Sequence, residues 1–236
     1  GCAWFVTCYD FYGKKYAEWL LILPLTIPTY IAAYSYYDIL EYFNPILFWT
    51  RKKIGLDYTI MIENILIYVI IVMLFSFVLY PYIYLSSRAS LILQGKRVIE
   101  AANTLGVPTN KLLRKVVIPI IRPGIIAGAS LVIMETLNDY AAVEYFGLST
   151  LTIGIFRSWF GMFDMGSALK LSSFLALFVF IILAIEKFYR RGARYNDSQG
   201  SSGLQTIDLN KKKQVMVFVF CFIPFFFGFL IPVARL

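Results

Sequence analysis

Four stretches of about twenty mainly apolar residues, 17–37, 60–85, 116–137 and 168–188, govern what this chain can fold into. A helix of that length crosses the hydrocarbon core of a bilayer, which is about 30 Å thick. A fifth apolar run begins near 214 and continues to residue 236. None alternates with period two, which argues against a membrane β-barrel and for helices. The expected fold class is all-α, a polytopic helical membrane protein with about five spans. Composition agrees: 59% of the residues are hydrophobic and 15% charged, against about 25% charged in a soluble domain.

The charges between the apolar stretches set the orientation. Residues 86–115 carry Arg88, Lys96, Arg97, Lys111, Arg114 and Lys115 against Glu100. Residues 187–213 carry Lys187, Arg190, Arg191, Arg194, Lys211, Lys212 and Lys213 against Asp197 and Asp208. Residues 135–170 reverse the balance, with Glu135, Asp139, Glu144 and Asp164 against Arg157 and Lys170. Positive loops stay in the cytoplasm, so the first two are expected inside and the third outside. Arg51, Lys52 and Lys53 fall outside on this alternation, an exception set among Asp38, Glu41 and Asp57. The net charge of +8 is thus explained by topology and implies no nucleic-acid partner.

Several chemistries drop out. With no histidine, imidazole acid–base catalysis and histidine-ligated metal sites are excluded. Cys2, Cys8 and Cys221 have neither an even count nor a CxxC spacing, so no disulfide framework or zinc site is implied. No metal site can be assigned. No nucleophile–base set converges in the sequence, which argues against a membrane-embedded enzyme. The chain opens on Gly1 and stops inside an apolar run, as expected of an internal piece of a longer membrane protein. The polar, Gly/Ser-rich stretch 195–213 reads as a flexible cytoplasmic linker.

The loop between the second and third apolar stretches has its own local logic. "GKRVIEAANTL" favours a helix that ends at Gly106 in a left-handed cap. Thr109 is expected to cap a second helix, with Pro108 stiffening the turn before it. Pro119 is expected to break that helix, and Pro123 with Gly124 to begin the next span. Pro24 and Pro28 are expected to kink the first span. Arg122 is expected to snorkel towards the cytoplasmic surface. Such a helix pair suits being gripped by a partner: Ala101 and Ala102 permit close approach, and Glu100 is one anion among cations.

"EAANTLGVPTNKLLRKVVIPIIRPGIIAG" resembles the EAA loop of importer-type ABC transporter permeases. Glu100, Ala101, Ala102, Gly106, Ile118 and Pro119 match the pattern, with isoleucine at 118 where leucine is usual. The stretches "LPLTIPTYIAAYSYYD", "VLYPYIYLSSRA" and "METLNDYAAVEYFGLSTLTIGIFRSWFGMFD" resemble the first half of fused ferric-iron permeases. This resemblance implies a permease domain over 1–194 with its coupling loop at 86–115, a linker at 195–213, and the start of a second permease half at 214–236. It further implies a multi-pass protein of the bacterial inner membrane that is not itself an enzyme and has no cofactor of its own. ATP would be bound by a cytoplasmic ABC ATPase dimer, and substrate delivered by a periplasmic or lipid-anchored binding protein. Glu100, Ala101, Ala102, Gly106, Pro119, Pro123 and Gly124 would couple to the ATPase.

Ferric iron is the substrate the resemblance favours, with thiamine, a polyamine or a sulfate-like anion as alternatives on the same scaffold. An ion-driven secondary transporter or channel is the rival outside the class. Glu135, Asp139 and Glu144 lie near the outer end of the third span, where ionisable groups tend to mark a pathway. Carboxylates, and tyrosines such as Tyr140 and Tyr145, also suit a hard cation. The same carboxylates could instead sit solvated in the interface or dock the binding protein, and an aromatic belt explains most tyrosines.

Overall fold

A computed structural model describes residues 1–95, 108–190 and 207–235, and nearly all of its elements are helical. Four helical runs among the described residues are long and apolar enough to cross a membrane: Leu56–Leu93, Leu113–Asn138, Met165–Tyr189 and Lys211–Ala234. They contain the expected spans 60–85, 116–137 and 168–188, and the last covers most of the run expected from 214.

The first expected span, 17–37, is not one helix. Lys14–Thr26 and Thr29–Glu41 meet at a bend of 91°. The prolines cause more than the expected kink. Pro24 lies in a tight 3-10 turn, Leu23–Thr26. Pro28 stands just before the second helix with ψ 139°, and neither ring nitrogen can donate to a helical carbonyl. Proline also pushes the residue before it out of the helical region, so Ile27 is where the chain leaves its helix.

Pro119 does not break its helix, a correction to the expectation above. Helical turns run from Thr109–Leu112 through a π turn, Leu113–Val117, into Ile118–Asn138. The Ile118 amide donates five residues back, to the Leu113 carbonyl. This wider turn shifts the carbonyl ladder at the point where the Pro119 ring would otherwise collide with it. Pro123 likewise sits inside the helix rather than at its start. Thr109 is the first helical residue and not the cap: the Pro108 carbonyl accepts from Lys111 N at 2.9 Å and Leu112 N at 3.0 Å. The same device recurs near the other end, where the π turn Phe226–Leu230 leads directly into Ile231 and Pro232. The helix expected over "GKRVIEAANTL" falls almost wholly outside the described residues. At the close of the stretch read as a linker, Ile207–Asp208 pair in parallel with Tyr9–Asp10, and a helix starts at Lys211.

The chain divides into two compact units. Unit 1 holds residues 1–22, 80–134 and 178–224; its core gathers Trp4, Val6, Leu21, Leu91, Leu112, Val117 and Val217. Unit 2 holds residues 23–79, 135–177 and 225–236. There the Thr29–Glu41 helix buries Ala32, Ala33, Ser35 and Tyr36. The Tyr36 hydroxyl donates to the Phe227 carbonyl at 2.8 Å, and Ser35 Oγ to the Pro232 carbonyl at 3.1 Å. The first bond closes a carbonyl that the π turn and Pro232, which has no N–H, leave without a helical donor, and the second adds to the Arg235 amide that already donates to the Pro232 carbonyl at 3.4 Å. The Met165–Arg190 helix leaves Phe174, Phe180 and Phe188 exposed. Such a face suits lipid or a neighbouring subunit.

Candidate functional site

The expected coupling residues Glu100, Ala101, Ala102 and Gly106 lie outside the described residues, but both stems of their loop are in view. On the entering side, the Leu56–Ser90 helix passes into a π turn, Leu91–Gly95. On the leaving side stand Thr109–Leu112 and the π turn Leu113–Val117. Leu91 and Val117 are 0% exposed and Leu112 is 2% exposed, all within the core of unit 1. A loop whose two stems are buried in one core cannot be displaced without moving that core. Arg88, just before the entering stem, pairs with Glu18 at 2.9 Å. This ties the helix to the amino-terminal segment.

The two long helices that carry the stems meet at backbone distance. A Cβ added to Gly124 would lie 2.5 Å from the Ser86 carbonyl oxygen and would strike Ser90 Oγ. One added to Gly128 would lie 2.6 Å from Ile83 Cα and 2.8 Å from the Tyr82 carbonyl oxygen. Gly124 and Gly128 therefore form a small-xxx-small contact, which lets dispersion and backbone dipoles act where lipid offers no hydrophobic drive. Gly124 gains a packing position here, and Pro119 and Pro123 lie on the same helix. The spacing "GIIAG" is the sequence signal for this crossing.

The three carboxylates of the third span's outer end take different places. Asp139 Oδ1 accepts from Ala142 N at 2.9 Å, in the first turn of the short helix Ala141–Tyr145. Glu135 lies one turn earlier, its carbonyl accepting from Asp139 N at 3.0 Å. Glu144 alone of the three lines a pocket of about 500 Å³, with Tyr30, Ile31, Tyr34, Ala141 and Tyr145. The Tyr145 ring stands 6.0 Å from that of Tyr34 and 5.1 Å from that of Tyr37. Tyr140 donates to Glu144, and this bond raises its pKa. Partial burial, then the nearby Tyr34 and Asp38, push Tyr145 upward as well, so both remain neutral phenols at pH 7. Tyr30 and Tyr34 were not singled out from the sequence, although four-residue spacing just after Pro28 places them on one helix face. Among the described residues, no three Cys, Asp or Glu side chains converge as a ligand set.

Residues 4–195 match the family described as binding-protein-dependent transport system inner membrane component. The Fe(3+)-transport system permease protein FbpB 2 of Haemophilus influenzae is 25% identical over 237 residues, which cover 100% of this chain and 42% of that protein. The sulfate transport system permease protein CysT of Salmonella typhimurium is 28% identical over 146 residues, 61% of this chain and 49% of that protein. CysT of Escherichia coli is 27% identical over 144 residues, 61% of this chain and 49% of that protein. The chain thus spans half or less of the length of these relatives. No solved structure matches it.

Proposed function

The chain belongs to the family of binding-protein-dependent transport system inner membrane components, and we propose that it builds one transmembrane half of an ATP-driven importer of ferric iron. The observation that carries this reading is the anchoring of the motif loop. Its stems share one buried core, and the helices leaving them are locked together at Gly124 and Gly128. An ATPase that grips Glu100, Ala101, Ala102 and Gly106 moves both helices as a body, since packed backbones are bistable rather than soft. Nucleotide then biases an inward-facing against an outward-facing arrangement through its differential affinity for the two. Pro119 and Pro123 lie on the driven helix, and the basic loops 86–115 and 187–213 stay on the ATPase side.

Ferric iron is favoured because the iron permease of Haemophilus influenzae is matched along the whole of this chain, whereas the sulfate permeases are matched along 61%. The pocket of Tyr30, Tyr34, Glu144 and Tyr145 adds chemistry in the same direction. Its oxygen donors suit a hard cation, and Glu144 repels a sulfate dianion. A ferric ion bound there would displace phenol protons, because metal ligands must be deprotonated. Glu135, Asp139 and Glu144 then lie along the approach from a periplasmic binding protein.

The test is uptake of radiolabelled ferric iron and radiolabelled sulfate in cells lacking the complete parent gene, restored intact or carrying Gly106→Val. Iron uptake that is lost on deletion, regained with the intact gene and absent with the variant is expected. Loss of sulfate uptake alone would move the substrate to the second reading. Uptake that persists without ATP would remove the importer reading altogether.

A further inference from the structure

We propose that the groove between the Ile118–Asn138 and Met165–Arg190 helices in unit 1 is a binding site for an anionic phospholipid. Arg122, Ile126, Ala129 and Ile133 form one wall, and Ile182 and Tyr189 stand on the other, around a volume of about 400 Å³. Arg122 is the one charged residue of the lining, and its guanidinium lies 5.9 Å from the centre of the Tyr189 ring. Cation and phenol therefore share one end of a slot that is apolar elsewhere but for Ser130, whose hydroxyl donates to the Ile126 carbonyl at 2.9 Å, and an acyl chain with a phosphate above it has that same distribution of polarity.

Length agrees with charge. From Arg122 to Ile133 the helix rises about 16 Å at 1.5 Å per residue. One leaflet of hydrocarbon is about 15 Å, half of the 30 Å core. An acyl chain lying along Ile126, Ala129 and Ile133 would thus bring its phosphate level with Arg122. Basic residues dominate the sequence at that end. Lys111, Arg114, Lys115 and Arg122 precede or begin one wall and Lys187 closes the other, against the single acid Glu186. An arginine in an apolar span is costly unless its head reaches an anion or water, and a lipid phosphate supplies the anion at the required depth. Ala129 leaves room for the chain in the middle of the wall, where a larger side chain would fill it.

The experiment uses the complete parent protein purified with its partner subunits and examined by native mass spectrometry. Phosphatidylglycerol should be retained over phosphatidylethanolamine by about fivefold, the factor for one basic residue facing a net anionic rather than a zwitterionic headgroup. Arg122→Gln should bring the two lipids to parity, and Arg122→Lys should restore the preference. Equal retention of the two lipids by the unaltered protein, or a preference unchanged in Arg122→Gln, would overturn the proposal. A photo-crosslinking amino acid at Ala129 gives an independent readout in the folded complex. Adducts with phospholipid support the site. Adducts with another protein segment would make the groove a subunit interface and overturn it.

Discussion

Two glycine contacts, one in each unit, hold helices together by different means. In unit 1, Gly124 and Gly128 press a helix face against Ser86, Ile83 and Tyr82 over more than a turn. In unit 2, Gly228 alone meets the Phe77 carbonyl, with Pro24 at 3.1 Å from its missing Cβ, and it does so from inside a π turn. The first contact is a repeated motif on a regular helix. The second depends on a local widening of the helix that turns one glycine outward. Their secondary ties differ as well. Unit 1 adds the ion pair Arg88–Glu18, and unit 2 adds neutral bonds from Tyr36 and Ser35 to carbonyls near its π turn. A regular face can thus spread its contacts, whereas a bulged helix concentrates them on a single residue.

The comparison breaks most readily at the glycines. Gly128→Val should cost about 3 kcal/mol or more, since backbone on both sides must separate, and should abolish a folded complex in thermal unfolding assays. A melting temperature equal to that of the unaltered protein would show that the crossing does not bear the load assigned to it. Gly228→Ala should cost about 2 kcal/mol. A smaller effect than Gly124→Ala would mean that the π turn relaxes and that concentrated contacts are the softer design.

The secondary ties sharpen it further. Tyr36→Phe leaves the Phe227 carbonyl without its donor and should cost about 1 kcal/mol, independent of salt. Arg88→Ala, measured in a double-mutant cycle with Glu18→Ala, should show a coupling near 1 kcal/mol, discounted because both groups are partly exposed. That coupling should shrink as salt rises, and salt-independent coupling would contradict an ion pair.

The smallest effect concerns Asp164, which caps the Met165–Arg190 helix through the Ser167 amide at 3.0 Å and the Ser167 hydroxyl. These bonds lower its pKa. A depressed carboxyl stabilises the fold above its unfolded value, about 3.9, and that contribution fades as pH falls through the folded value. The protection factors of the first-turn amides, which are corrected for the intrinsic pH dependence of exchange, should therefore fall in acid, and Asp164→Asn should remove this pH dependence. Identical acid profiles would exclude the cap.

The spans were legible because lipid demands only length and apolarity, and a run such as 60–85 satisfies both without any tertiary knowledge. The family was legible as a resemblance, through the motif that runs from Glu100 to Pro119. Pro119 itself was misread, because proline carries a default penalty that only the preceding π turn relieves, and no propensity scale encodes that turn. Pro24 and Pro28 announced a bend but not 91° of it, since the angle depends on the 3-10 turn between the helices. The pocket at Glu144 was half legible. Its carboxylate stood out as an ionisable group near a span, whereas Tyr30 and Tyr34 join it from more than a hundred residues away.

The π turn Leu113–Val117 has a consequence for what changes of length this chain can absorb. A π turn is a helix with one residue more than its path requires, and each residue of an α-helix turns the chain by about 100°. Loss of one residue there would restore a regular helix and leave Gly124 and Gly128 facing Ser86 and Ile83, whereas loss of one residue from the regular turns that follow would swing them about 100° away. The bulge thus keeps the phase between the motif loop and the face on which the spans cross.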